Sequence, residues 1–178
     1  MSPTEPRRDP NLAQPIDETP ATSPRSLAIR EWLRAWWPAL LWATLISVLS
    51  TDYFSSDRTS LVIEPILRWL YPAFSEDTLD LVHHLIRKSA HFTEYFIFFL
   101  LLYHGFRASR RVAKWNWSWA LIAWLIAAVY SCLDEIHQIF VPSRGPSAWD
   151  SLLDSTGALF ALVVLFMLYR WLFRPRAE

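Results

Sequence analysis

The sequence predicts an all-α membrane protein with four transmembrane helices. Of its 178 residues, 53% are hydrophobic and 19% are charged, whereas a soluble domain averages about 45–50% and about 25%. Long apolar runs occupy 36–51, 90–106, 115–133 and 152–173. A soluble helical core needs a polar face on each helix, and a run such as 96–103 has none. The basic residues also cluster in alternate segments, as expected for a chain that crosses a membrane repeatedly.

The N-terminal segment has a different composition from the rest of the chain. Its first 25 residues contain six prolines and almost no large apolar side chain. Such a segment cannot bury enough surface to offset the entropy lost on ordering. We therefore predict a disordered, Pro-rich cytoplasmic tail over 1–30, a four-helix domain over 31–173 and a short cytoplasmic tail over 174–178.

The first predicted span, 36–51, has Pro38 in its opening turn, where a missing N–H is tolerated. The loop that follows, 52–88, carries apolar residues near helical spacing beside charged ones, which predicts an amphipathic helix on the outer leaflet. These apolar residues are Leu61, Val62, Ile66, Trp69 and Leu70. A further helix is predicted to begin after Ser75, with acids in its first turn, and to lead towards span two.

The distribution of Lys and Arg predicts the orientation. Twelve of these 17 residues lie before span one, in the loop 107–114 or at the end of span four. The positive-inside rule therefore places both termini and the loop 107–114 in the cytoplasm, and the loops 52–88 and 134–151 outside. We predict a multi-pass protein of the cytoplasmic (inner) membrane.

Several classes of function are excluded by composition. The 17 basic and 17 acidic residues balance, so no nucleic-acid partner is expected. The three glycines are too far apart to form a nucleotide-binding loop, and the single cysteine, Cys132, excludes an internal disulfide. No spacing of His and acidic residues matches a helix-borne zinc motif. We predict no metal and no cofactor.

Ionisable residues gather at three helix ends, all on the predicted outer side. Lys88, His91 and Tyr95 at the start of span two fall within an arc of about 60°, with Glu94 beside them. At the end of span three, Asp134 shares a face with Gln138 and is followed by Glu135, and a stripe that includes Asp150 and Asp154 opens span four. Charged groups are costly at membrane depth, so we expect one convergent site.

These segments resemble the VanZ-like membrane protein family, named for a teicoplanin resistance protein. The resemblance rests on Lys88, His91, Phe92 and Tyr95; on Asp134, Glu135 and Gln138; and on Arg144, Asp150, Asp154 and Gly157. Asp154 stands where the family usually has Asn, and Arg87 where an Asp often precedes the Lys. The resemblance implies an integral membrane protein linked to glycopeptide resistance or cell-envelope stress, without an agreed catalytic activity.

Three interpretations of the predicted site remain open. In the first, it binds a lipid-linked cell-wall precursor or a glycopeptide-type amphiphile among the membrane lipids. The predicted binding residues are Lys88, His91, Tyr95, Asp134, Glu135, Gln138, Arg144, Asp150 and Asp154. In the second, His91 is a general base oriented by Glu94 or Asp134, acting on a phosphate-bearing lipid. In the third, the polar groups only hold the helices together.

Overall fold

A computed structural model of the chain describes residues 24–51, 53, 56–110, 114–141, 145 and 147–173. These residues form five α-helices and no strand. The helices are α1 (Pro24–Leu49), α2 (Ser56–Leu70), α3 (Glu76–Arg110), α4 (Trp117–Gln138) and α5 (Ala148–Leu172). The predicted all-α class is confirmed.

Helices α1, α3, α4 and α5 pack as a bundle in which neighbours along the chain are antiparallel. Trp36 Nε1 of α1 donates a hydrogen bond to Ser109 Oγ near the end of α3 (2.7 Å). Trp42 Nε1, further along α1, donates to the Glu94 carbonyl near the middle of α3 (2.9 Å). Trp124 Nε1 of α4 likewise donates to the Ser155 carbonyl of α5 (3.2 Å). The end of α1, the middle of α3, the end of α4 and the start of α5 therefore lie at one end of the bundle.

Three of the described helices, not the four predicted, are long and apolar enough to cross a membrane. They are α1 over Ile29–Leu49, α4 and α5. The predicted second span, 90–106, is the C-terminal half of α3, and its first turns carry His91, Thr93, Glu94 and Tyr95, which lower its mean hydropathy. This half of α3 nevertheless packs against α1, α4 and α5 along its length.

Small residues and aromatic rings make up the centre of the bundle. Tyr95, Phe99 and Tyr103 of α3 are buried, and they pack in one apolar cluster with alanines of α4 and α5. Small side chains let helices approach closely, which is the usual means of packing where lipid replaces water. The outer surfaces of α4 and α5 carry exposed Leu, Ile, Val and Met side chains, as expected of helices that face lipid.

The helix α1 begins earlier than predicted. It starts at Pro24, so residues 24–30, which were assigned to the disordered tail, are helical, while residues 1–23 and 174–178 lie outside the described residues. Because of this early start, Pro38 lies in the helix interior and not in an opening turn.

A helix is present where an amphipathic segment was predicted between the first two spans. The five apolar side chains named for this helix, α2, are exposed, with Trp69 the most exposed of them. It is held to α3 by a salt bridge from Arg68 Nη2 to Glu76 Oε2 (2.5 Å) and by Thr59 Oγ1, which lies 3.1 Å from His83 Nε2. The position of α2 on the outer leaflet stays a prediction.

Candidate functional site

A cluster of polar side chains is buried at the end of the bundle where α4 ends and α5 begins. We define the polar cluster as Ser50, His91, Glu94, Tyr95, Ser131, Asp134, Gln138, Ser151 and Asp154. Ser50 directly follows α1, and the other residues come from α3, α4 and α5. The cluster forms at one end because each of the four chain segments reaches that end with its polar residues, while apolar residues occupy the rest of the bundle.

Asp134 connects α4 to the end of α1. Its Oδ2 accepts a hydrogen bond from Ser50 Oγ (2.5 Å) and another from Gln138 Nε2 (3.2 Å), one helical turn later. All three side chains are at least 95% buried. A carboxyl group at such a depth requires hydrogen-bond donors, and these two contacts supply them.

Asp154 connects α5 to α3 and α4, and it is 1% exposed. Its Oδ2 lies 3.4 Å from Ser131 Oγ, and its Oδ1 lies 3.8 Å from His91 Nδ1. The same His91 nitrogen is 4.0 Å from Glu94 Oε2. The imidazole therefore stands between two carboxyl groups, and a protonated His91 would interact favourably with both.

Two buried oxygen atoms of the polar cluster have no hydrogen-bond partner among the described residues. They are the hydroxyl of Tyr95, a residue with no exposed surface, and Oδ1 of Asp154. Buried polar atoms of folded proteins nearly always have a partner, so each such atom is a place where a water, an ion or a ligand group can be accommodated. Among the described residues, no three His, Cys, Asp or Glu side chains are grouped so that they could hold a metal ion.

A second group of charged residues, outside the polar cluster, lies at the same end of the bundle. Lys88 of α3 forms a salt bridge with Asp150 in the first turn of α5, and both side chains are partly exposed. Glu135 Oε2 accepts a hydrogen bond from the Ser147 backbone N–H (2.7 Å) and is itself 7% exposed. These contacts hold the start of α5 against α3 and α4.

An apolar groove of about 410 Å³ lies beside the polar cluster, between α4 and α5. Its lining combines apolar and polar residues: Cys132, Glu135, Ile136, Ile139, Ser147, Ala148 and Ser151. Ser151 belongs to both groove and cluster, because its Oγ is 2.9 Å from Ser131 Oγ. The groove therefore leads from an apolar outer surface to buried polar groups.

Comparison with known proteins identifies the family. The sequence model of VanZ/LLP1 matches residues 35–171, which is most of the chain. The chain belongs to the VanZ/LLP1 family. Nothing among the curated proteins matches it, and no solved structure does. The predicted VanZ-like membership is confirmed, and the matched region of this VanZ/LLP1 chain contains the whole polar cluster.

The structure divides the predicted site residues of this VanZ/LLP1 protein into two groups. It brings His91, Tyr95, Asp134, Gln138 and Asp154 into the polar cluster, with the alternative catalytic residue Glu94. It places Lys88, Glu135 and Asp150 in the second charged group, in which Glu135 is buried and the other two are partly exposed. Arg144 lies outside the described residues. On another helix, Asp154 Oδ1 lies 3.8 Å from His91 Nδ1, a pairing that the sequence interpretation did not name.

Three serines of the VanZ/LLP1 site were missed by sequence reasoning. Ser50 follows the apolar run of α1, and Ser131 and Ser151 lie three residues before Asp134 and Asp154 respectively. That spacing places each of the latter two on the same helix face as an acid, which is a signal the sequence does contain. Ser50 carries no such signal, because its contact with Asp134 depends on how α1 is placed against α4.

Proposed function

We propose that this chain is a membrane protein whose polar cluster lies at the outer face of the cytoplasmic membrane and binds an amphiphile. The proposed ligand is a lipid-linked envelope precursor or a glycopeptide-type compound, and the proposed role is in antibiotic resistance or envelope maintenance. The observation that carries this proposal is a buried polar cluster, with two oxygens that lack a hydrogen-bond partner among the described residues, beside an apolar groove.

The proposed orientation follows from charge. Arg34, Arg107 and Arg170 lie at the end of the bundle opposite the polar cluster. The positive-inside rule places that end in the cytoplasm and the polar cluster at the outer side. We also propose that 90–106 crosses the membrane with the three candidate spans, because Tyr95 is fully buried and His91 and Glu94 are mostly buried among the other helices.

The chemistry of the site suits a ligand with a polar head and an apolar tail. The Tyr95 hydroxyl can donate a hydrogen bond, and Asp154 Oδ1 can accept one from a hydroxyl or ammonium group. The groove lined by Ile136 and Ile139 offers apolar surface for a lipid chain. Lys88 of α3 is a cation at this end that a phosphate would contact, and Arg144, outside the described residues, stays a predicted binding residue.

A specific observation favours catalysis as a second candidate. His91 Nδ1 lies 4.0 Å from Glu94 Oε2 and 3.8 Å from Asp154 Oδ1, so two carboxyl groups stand within ion-pair distance of the imidazole that would act as the base. In this candidate, His91 acts on a phosphate-bearing lipid.

A structural role for the cluster rests instead on the hydrogen bonds that join Ser50 to Asp134 and Ser131 to Asp154.

The proposal is tested by binding of a photoreactive polyprenyl-linked cell-wall precursor to the purified chain in proteoliposomes. Tyr95→Phe removes one hydroxyl and no packing, so we expect about three- to tenfold weaker crosslinking. Thr156→Ala is the control, because this exposed hydroxyl bonds to the Leu153 carbonyl of its own helix. Both variants are compared at equal membrane abundance.

Each outcome separates the candidates. Weaker crosslinking of Tyr95→Phe alone supports binding at the polar cluster. Equal crosslinking of both variants and the unchanged protein contradicts it. Release of a product from the labelled precursor, with a loss in His91→Ala, supports catalysis. A fall in the cellular membrane abundance of Tyr95→Phe, with unchanged crosslinking per molecule in proteoliposomes, supports a structural role.

A further inference from the structure

A second groove lies at the opposite end of the bundle, between α3 and α5. It has a volume of about 540 Å³ and is lined by Leu100, Tyr103, His104, Arg107, Ala108 and Leu165. Its lining changes along α3, from apolar at Leu100 to basic at Arg107, two turns later. Leu165 lies two turns before the end of α5, so the basic end of this groove is level with the ends of the candidate spans.

The basic end of the groove is built from one face of α3. His104 and Arg107 are three residues apart and therefore adjacent on the helix surface. The Arg107 guanidinium carbon is 6.0 Å from the centroid of the buried Tyr103 ring, which directs the charged group along the groove wall. Ala108 is exposed and small, so it leaves the space beside His104 open.

A neighbouring groove on the α1 side of α3 is less suited to an anionic amphiphile. It has a volume of about 240 Å³ and shares His104 and Ala108 with the groove between α3 and α5. Its other lining residues are Glu31, Arg34 and Ala35. Glu31 offsets the charge of Arg34 there, and this smaller groove contains no large apolar side chain. An anionic amphiphile is therefore better accommodated on the α5 side, where Arg107 supplies charge and Leu100 and Leu165 supply apolar surface.

We propose that the groove between α3 and α5 is a binding site for one anionic phospholipid. Its phosphate contacts Arg107 and His104, and an acyl chain lies along Leu100 and Leu165. An arginine guanidinium and a phosphate form a strong charge-assisted pair, and arginines near a membrane surface attract anionic lipids. This site is independent of the polar cluster, because it lies at the other end of the bundle.

The test uses the full chain in nanodiscs that contain a photoreactive phosphatidylglycerol or a photoreactive phosphatidylcholine with the same acyl chains. We expect stronger crosslinking of phosphatidylglycerol, located by mass spectrometry in peptides around 100–108 and 165. Arg107→Gln should lower this crosslinking about tenfold, the effect of losing one charge-assisted hydrogen bond to the phosphate. The matched control is Arg110→Gln, since Arg110 is exposed at the end of the same helix and does not line the groove.

A second variant covers the case in which Arg107→Gln fails to fold. Ala108→Trp fills the groove from an exposed position, so it should reduce crosslinking of phosphatidylglycerol while the melting temperature stays that of the unchanged protein. Equal crosslinking of the two lipids, an equal loss in Arg110→Gln, or full crosslinking of a folded Ala108→Trp protein would overturn the proposal.

Discussion

The contact of α3 with α5 at Gly157 is a point where one added carbon atom should displace the polar cluster. A Cβ atom at Gly157 would overlap the Phe92 carbonyl oxygen and lie 3.1 Å from the carbonyl carbon, whereas ordinary contacts measure 3.4–4 Å. The obstructing atoms are backbone, so α3 and α5 must separate by about 1 Å, which costs about 1–3 kcal/mol in a packed interior. Because Phe92 follows His91, the separation should also lengthen the contact from His91 to Asp154.

We therefore expect Gly157→Ala to lower the melting temperature in detergent by about 2 to 12 °C and to weaken crosslinking of the polyprenyl-linked precursor. The matched control is Gly145→Ala, where an added Cβ would meet nothing within 4 Å. If Gly157→Ala and Gly145→Ala have the same melting temperature, the close helix contact and the packing argument built on it are refuted.

Three further predictions concern the polar contacts. Asp154→Asn should keep near-normal abundance and precursor crosslinking, because Asn is the usual family residue, whereas Asp154→Leu should lose crosslinking. An Asn variant that no longer crosslinks the precursor would show that the carboxylate itself is required. Ser50→Ala should lower the free energy of unfolding by about 1.5–3 kcal/mol in thermal or denaturant unfolding, because it removes a donor to the buried Asp134 carboxyl. The control Thr44→Ala loses only an exposed hydrogen bond to its own helix and should lower that free energy less. Equal decreases in the two variants would contradict the argument. At the α2–α3 contact, the hydrogen bond and the charge of Arg68 lower the pKa of Glu76 below 4.5. This contact therefore stabilises the folded protein above that pH and is lost as the pH falls below it. A spin label on α2 should become more mobile on acidification, and in Glu76→Gln it should show no such pH dependence.

Much of the fold follows from local sequence signals. Apolar runs and polar segments predict the helices of the bundle, and the segment from 76 to 110 contains no proline, so α3 is continuous. Three of the described helices, and not the predicted four, have the length and hydropathy of a span, because polar residues that face the other helices lower the mean hydropathy of 90–106. Hydropathy averages over a helix and does not distinguish its inner face from its outer face.

The site could be predicted only in part. Helical spacing places Asp134 with Gln138, and the structure joins them by a hydrogen bond. Spacing on one helix does not determine how another helix is rotated against it. The contact of His91 with Asp154, the salt bridge of Lys88 with Asp150 and the bond from Ser50 to Asp134 therefore depend on tertiary packing, and the sequence interpretation did not contain them.

The most direct test of the account is the side of the membrane on which the polar end of the bundle lies. Phe140 is exposed two residues after Gln138, and Phe173 is exposed at the opposite end. In a Cys132→Ala background, a membrane-impermeant maleimide should label Phe140→Cys in intact cells and Phe173→Cys only after the membrane is permeabilised. Labelling of Phe173→Cys alone in intact cells would place the polar cluster on the cytoplasmic side and contradict binding of an envelope amphiphile at the outer face.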